Sequence, residues 1–423
     1  MSWTYLLRRL RRVRWPAVTI GVAAVVATAC TSGTSSIGGS TGPLQPPRWS
    51  TSPPAASART PAPGAPSAAQ GTTPTTAQGT CSATAAALPM RERVGQLLMV
   101  GMQPGAAPKG LDTTIVTYRV GSVIYLGGWQ GRNLVSATST HLQAQTTGGI
   151  RLLIAADQEG GQVQQLKGTG FTPIPNAVTQ GAQPSDLLTR QAATTARELL
   201  AAGVNVNLAP VGDVVPAGTE KTNGPIGKYS RQLGSEPKAV ADSVVTVLTA
   251  LQQGGVVATV KHFPGIGRIA GNTDTTATGI SDASLRADDP YLAPFAAAID
   301  ANVGMVMVSS ARYPNLDGST QALFSRTIVT GLLREKLGFA GVVITDDVGA
   351  AKALSATPVG DRAVKFVDAG GDIVLTAAPS QVPTMVGALT SRAAADPAFA
   401  AKIDAAAARV LALKARFGLA TCS

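Results

Sequence analysis

The feature that most limits how this chain can fold is an alternation. From about residue 85 to 420, short apolar runs suited to buried strands take turns with amphipathic stretches of helical period. The candidate strands are Gln96–Val100, Ser122–Leu126, Leu152–Ala156, Val204–Leu208, Val256–Val260, Met305–Val308, Gly341–Thr345 and Asp372–Leu375. Between them lie helical patterns such as Pro237–Gln253, Tyr291–Ala301, Arg326–Leu337 and Asp361–Val367. Continuous apolar strands separated by helices call for a parallel sheet covered by helices. Eight such units in one stretch fit a single (β/α)8 TIM barrel, an α/β fold that needs no second domain. An open doubly wound sheet is the competing arrangement. No Gly-x-Gly-x-x-Gly turn follows the first run, so nucleotide binding finds no support.

The residues ahead of the barrel read differently. Residues 1–29 have the form of an export signal: Arg8, Arg9, Arg11, Arg12 and Arg14 precede the apolar run Val18–Ala27, which is short for a permanent membrane helix. Ala27-Thr28-Ala29-Cys30 is similar to a bacterial lipobox, with Cys30 as the lipidated residue. An ordinary signal peptide with an incidental Cys is the other reading. Residues 30–80 are dominated by Ser, Thr, Gly, Pro and Ala, too few of them apolar to offset ordering entropy, as expected of a disordered tether. The folded domain is then 81–423, lipid-anchored to the outer face of the cell membrane.

The chain has 3 cysteines. With Cys30 lipidated, Cys81 and Cys422 remain at the two ends of the domain, and an exported compartment permits a disulfide between them. Two free thiols are the alternative. The formal charge of +11 does not signal nucleic acid, because no basic run with interleaved aromatics follows the N-terminal arginines. With 2 histidines and the cysteines placed, no conventional metal site can be assembled, and no cofactor is expected.

In a (β/α)8 barrel the chemistry gathers at the C-terminal ends of the strands. There the sequence places Asp157-Gln158-Glu159-Gly160-Gly161, Ala209-Pro210-Val211-Gly212-Asp213, Lys261-His262 and Asp346-Asp347. A single Asp after a strand is ordinarily a helix cap. Charged groups at four such ends are costly to desolvate unless they bind something.

Lys261-His262-Phe263-Pro264-Gly265-Ile266-Gly267 resembles the fingerprint of glycoside hydrolase family 3, in its β-N-acetylhexosaminidase branch. There Lys-His-Phe-Pro-Gly-x-Gly is followed by four variable residues and Asp-Ser/Thr-His. The resemblance covers nearly the whole folded domain. It implies a retaining, exo-acting glycosidase in which Asp157, Lys261 and His262 bind the terminal sugar. Leu333–Phe339 followed by Gly341–Asp347 resembles the helix and strand that deliver the nucleophile, which makes Asp346 the nucleophile and leaves Asp347 as a cap or structural partner.

Two departures stand out. Asn272-Thr273-Asp274 falls where the family has Asp-Ser/Thr-His, so the acid/base His is absent and Asp274 takes its position. A carboxylic acid with a raised pKa can transfer the same proton, and Asn272 would replace the Asp that orients the His. The alternative is an inactive loop. In Pro225–Arg231, Tyr229 stands where the family has a sugar-gripping Arg, with Arg231 two residues on; Gln162 likewise replaces an Arg. Tyr229 and Arg231 are therefore both candidate sugar ligands, and the sugar preference is open. His141 falls within a helical pattern and reads as an ordinary surface histidine. Three functions follow: a β-N-acetylglucosaminidase of cell-wall fragments, a β-glucosidase-like hydrolase of another sugar, or a lipid-anchored carbohydrate-binding protein without turnover.

Overall fold

The apolar runs become strands because Val, Ile, Leu and Met can be buried on both faces of a parallel sheet. The computed structural model describes residues 74–422. Its barrel strands are β1 Leu98–Met102, β2 Ser122–Tyr125, β3 Leu153–Ala156, β4 Val206–Asn207, β5 Val257–Phe263, β6 Met305–Val308, β7 Val342–Thr345 and β8 Val374–Thr376. Each pairs in parallel with the next from β1 to β7, and β8 pairs with β1. An Ile344–Ile373 bridge brings β7 to β8, and the Thr345 N–H donates to Ile373 O. The barrel is thus nearly closed.

Two apolar layers hold it. Met99, Ile124, Val257, Met305 and Ile344 fill the interior, while a larger cluster lies between strands and helices. The interior is plugged at the N-terminal end by Val410 and Leu413 of the last helix, Pro397–Arg416, and by Leu419. Cys81 and Cys422 are joined by a disulfide, 341 residues apart in sequence, as the sequence suggests.

Some boundaries differ from expectation. Gln96 ends the helix Met90–Gln96, so β1 starts at Leu98 and runs on to Met102. The first helix, Pro74–Ala87, begins inside the stretch expected to be tether. The export signal, Cys30 and the rest of the tether lie outside the described residues.

The difference that matters is in β5. It runs through Phe263, so Lys261 and His262 are still in the strand. Against β6, Met307 pairs with Lys261 but Val308 pairs with Phe263. His262 is therefore the extra residue of a β-bulge. Successive strand residues normally point to opposite faces; a bulge re-aims one of them, and both Lys261 and His262 line the cavity at the barrel's C-terminal end.

Candidate active site

Lys261 is 2 % exposed, so its ammonium must be answered by protein. The Nζ donates to Asp157 Oδ1 at 2.5 Å and contacts Glu159 Oε1 at 2.6 Å. Glu159 in turn takes two parallel hydrogen bonds from Arg231, Nε at 2.9 Å and Nη2 at 2.8 Å. Burial would raise the Glu159 carboxyl, but the charges of Arg231 and Lys261 outweigh it and hold it far below the usual carboxylate range. Burial alone would likewise strip Lys261 of its proton, and Asp157 and Glu159 reverse that. The four side chains form one charge-balanced wall, on which Asp157 and Arg231 face the cavity.

His262 is fixed from behind. Its Nδ1 donates to Asp213 Oδ2 at 2.6 Å, and Asp213 Oδ1 accepts from the Ile266 N–H at 2.7 Å. Asp213 is fully buried. Holding the proton on Nδ1 leaves Nε2 as an acceptor toward the cavity, where Arg231 Nη2 lies 3.5 Å away.

The opposite wall comes from the ends of β7 and β5. Asp346 N donates to Val308 O at 3.1 Å, and Asp346 Oδ1 accepts from the Asp347 N–H at 2.9 Å. Asp347 accepts from the N–H groups of Gly349, Ala350 and Ala377. It ties the loop after β7 to the loop after β8, the structural part expected of it. Burial nonetheless pushes its carboxyl up.

Asp274 sits on the loop that leaves β5, closed on itself where the Gly271 N–H donates to Gly279 O. The side chain is exposed at the cavity mouth, yet protein atoms around it remove enough solvation to raise its carboxyl. The negative charge of Asp346 adds to this, and the result is about 6. Asn272 does not touch that carboxyl; its Oδ1 accepts from the Asp274 N–H at 2.9 Å, so it shapes the turn rather than orienting the acid.

Asp157, Lys261, His262, Arg231, Asp274 and Asp346 line one cavity of about 300 Å³. Tyr229 does not join them. It ends the short turn Gly227–Tyr229, and the Lys228 ammonium lies 6.0 Å from its ring. Arg231 lines the cavity instead, because two more residues of turn carry the chain back to Glu159. His141 bonds Asp112 at 2.8 Å on a helix outside the cavity. Gly160 serves the turn: its φ is +107° and a Cβ there would meet Pro175 O at 2.2 Å. The space beside it belongs to the protein and not to a ligand. Glu159 and Asp213 were visible at strand ends, but their partners lie 72 and 49 residues away and carry no local signal.

The sequence profile of the glycosyl hydrolase family 3 N terminal domain matches residues 89–413. A beta-hexosaminidase of Xanthomonas oryzae pv. oryzae is 34% identical over 283 residues, 64% of this chain and 80% of that one. Among solved structures, a beta-N-acetylhexosaminidase from Beutenbergia cavernae superposes with a TM-score of 0.74 at 44% identity, covering 78% of this chain and 99% of that one. LpqI of M. tuberculosis gives 0.68 at 27% identity, covering 79% and 96%. With the barrel, the strand-end carboxylates and the paired Lys261 and His262 in place, the chain belongs to glycoside hydrolase family 3 and is a glycoside hydrolase.

Proposed function

We propose that the protein is an exo-acting, retaining β-N-acetylhexosaminidase that releases N-acetylglucosamine from β-linked fragments of the cell wall. Asp346 is the nucleophile. It attacks the anomeric carbon, a glycosyl ester forms, and water later cleaves that ester with overall retention. Asp157, Arg231 and His262 hold hydroxyls of the terminal sugar: the carboxylate and Nε2 accept, the guanidinium donates. Lys261 holds Asp157 in place through its Nζ hydrogen bond.

One observation carries this reading. Among the described residues Asp346 forms no ion pair, although it opens into the cavity whose far wall is fully paired. A carboxylate left without a cation at a strand end is free to attack carbon. About 300 Å³ is at the small end of ligand cavities and suits one terminal sugar. The names of the relatives favour N-acetylglucosamine. For location, the Arg-rich start, the apolar run and Cys30 support a lipid anchor on the extracytoplasmic face, and the Cys81–Cys422 disulfide suits an oxidising compartment.

A 2-fluoro glycosyl substrate should trap the ester on the peptide containing Asp346. Label on Asp347 or Asp274 overturns the nucleophile. A panel of aryl glycosides should give turnover with the N-acetylglucosaminide well above the glucoside; turnover with neither returns the protein to a binding role.

A further inference from the structure

The cavity holds one more carboxyl than displacement by Asp346 requires. Asp274 makes no ion pair among the described residues, and no histidine stands in the loop that bears it. Its backbone is held by the short helical turn after β7: Lys352 N donates to Asp274 O at 3.1 Å and Ala353 N to Thr273 O at 3.0 Å. Thr273 is buried beneath. Those donors belong to the segment that follows β7 and Asp346. The loop bearing Asp274 is thus fastened to the segment bearing the nucleophile.

We propose that Asp274 is the acid/base of the reaction, a carboxyl doing the proton work and fixed to the nucleophile's own segment by the backbone bonds from Lys352 and Ala353. The inference rests on Asp346 as the nucleophile. In the first step Asp346 forms a bond to the anomeric carbon and the glycosidic C–O bond breaks. Its electron pair goes to the leaving oxygen, which takes the proton of Asp274. In the second step water attacks the same carbon and gives its proton to the Asp274 carboxylate. The ester C–O bond breaks, and its pair returns to Asp346.

The surroundings make one carboxyl serve both steps. Four groups face Asp274: the charges of Asp346 and Asp347 favour its protonated form, Arg231 favours the ionised form, and the His262 ring lies beside them. Before reaction the Asp346 charge helps Asp274 keep its proton. Once Asp346 is esterified that charge is gone. Arg231 is then opposed by burial and Asp347 but no longer by Asp346, and Asp274 becomes the better base just when a base is needed.

The test compares leaving groups. Removing Asp274 should slow hydrolysis of N,N′-diacetylchitobiose by roughly 10²–10⁴-fold. With a 2,4-dinitrophenyl glycoside, whose leaving group needs no proton, ester formation should be nearly unaffected, and Asp274→Ala should accumulate the ester. Azide should then accelerate turnover and give the β-glycosyl azide. Wild-type kcat/KM on the disaccharide should fall as pH rises through about 6, and this limb should vanish in Asp274→Ala. Lys352→Pro deletes one fastening N–H. Lys352 opens a short helical turn and follows Ala351 at φ −54°, ψ 119°, a conformation that accepts a following proline. It should show the same leaving-group pattern, more weakly. Disaccharide hydrolysis by Asp274→Ala at the wild-type rate, or no azide product, overturns the proposal. A 2-fluoro label retained on Asp346 in Asp274→Ala shows that the nucleophile stands independently; its loss from wild type means the underlying reading has failed instead.

Discussion

The two ends of the barrel use buried charge in opposite ways. At the N-terminal end Asp372, fully buried, is gripped by Arg334 at 2.7 Å and Arg409 at 2.8 Å and accepts from the Val343 N–H at 2.7 Å. Lys414, equally buried, donates to Gln96 Oε1 at 2.6 Å and Gly121 O at 2.9 Å. Each of these groups is answered by a neighbour that never leaves. At the C-terminal end Lys261 and Arg231 are answered too, but Asp274 and Asp346 face the cavity without a cation. Buried pairing specifies structure, and removing one partner is what costs stability. Charge left unanswered in a cleft marks chemistry.

The sharpest way to test that contrast is to neutralise one carboxylate at each end. Asp346→Asn should lower kcat by roughly 10⁴-fold or more while the unfolding temperature stays near the wild-type value. Asp372→Asn should do the reverse: with Arg334 and Arg409 facing a neutral group, unfolding free energy should drop by about 3–5 kcal/mol, and the folded fraction should keep its kcat. A large activity loss in the Asp372 variant at full folding would dissolve the distinction.

Lys414 sharpens the comparison because it has neutral acceptors only. Burial pushes its pKa down to about 7, below the unfolded value. The folded state therefore binds the proton less readily than the unfolded chain. This penalty is absent above the unfolded pKa, grows as pH falls toward about 7, and is constant below that. Lys414→Met removes it. The difference in Tm between variant and wild type should favour the variant most near pH 6 and shift toward the wild type by pH 9, by a few degrees. A pH-independent difference would mean that Lys414 carries no such penalty.

The smallest effect concerns phosphate. After the ester forms, an ionised Asp274 at ~4 Å would repel a unit of anionic charge by about 4 kcal/mol at an effective dielectric near 20. Phosphate should therefore not accelerate turnover, and no glycosyl phosphate should appear. Phosphorolysis would show that the mouth of the cavity is less negative than its carboxylates suggest.

Much of this was legible in the sequence. The strand runs announced the barrel, and the motifs at their ends named Asp157, Lys261, His262, Arg231, Asp274 and Asp346, which meet in one cavity. What escaped was geometry set by distant partners. The polar pair Lys261-His262 breaks an apolar pattern, so β5 appeared to stop at Val260; only pairing with β6 shows that it continues through a bulge. Counting along the turn at Gly227 left both Tyr229 and Arg231 as candidates, and only Arg231 lines the cavity, because turn path cannot be counted in residues. The fastening of Asp274 by Lys352 and Ala353 runs through backbone atoms, which leave no trace in side-chain pattern.

The Cys81–Cys422 bond has a consequence for resistance to proteases. It makes the described domain almost a covalent ring. A protease that cuts one exposed loop linearises the ring at a new point without freeing either piece. The strands on both sides of the nick remain paired within the barrel, and the two new termini belong to a single molecule. Such an enzyme should withstand a first cut that would split an open chain in two. On a denaturing gel the wound should show only after reduction.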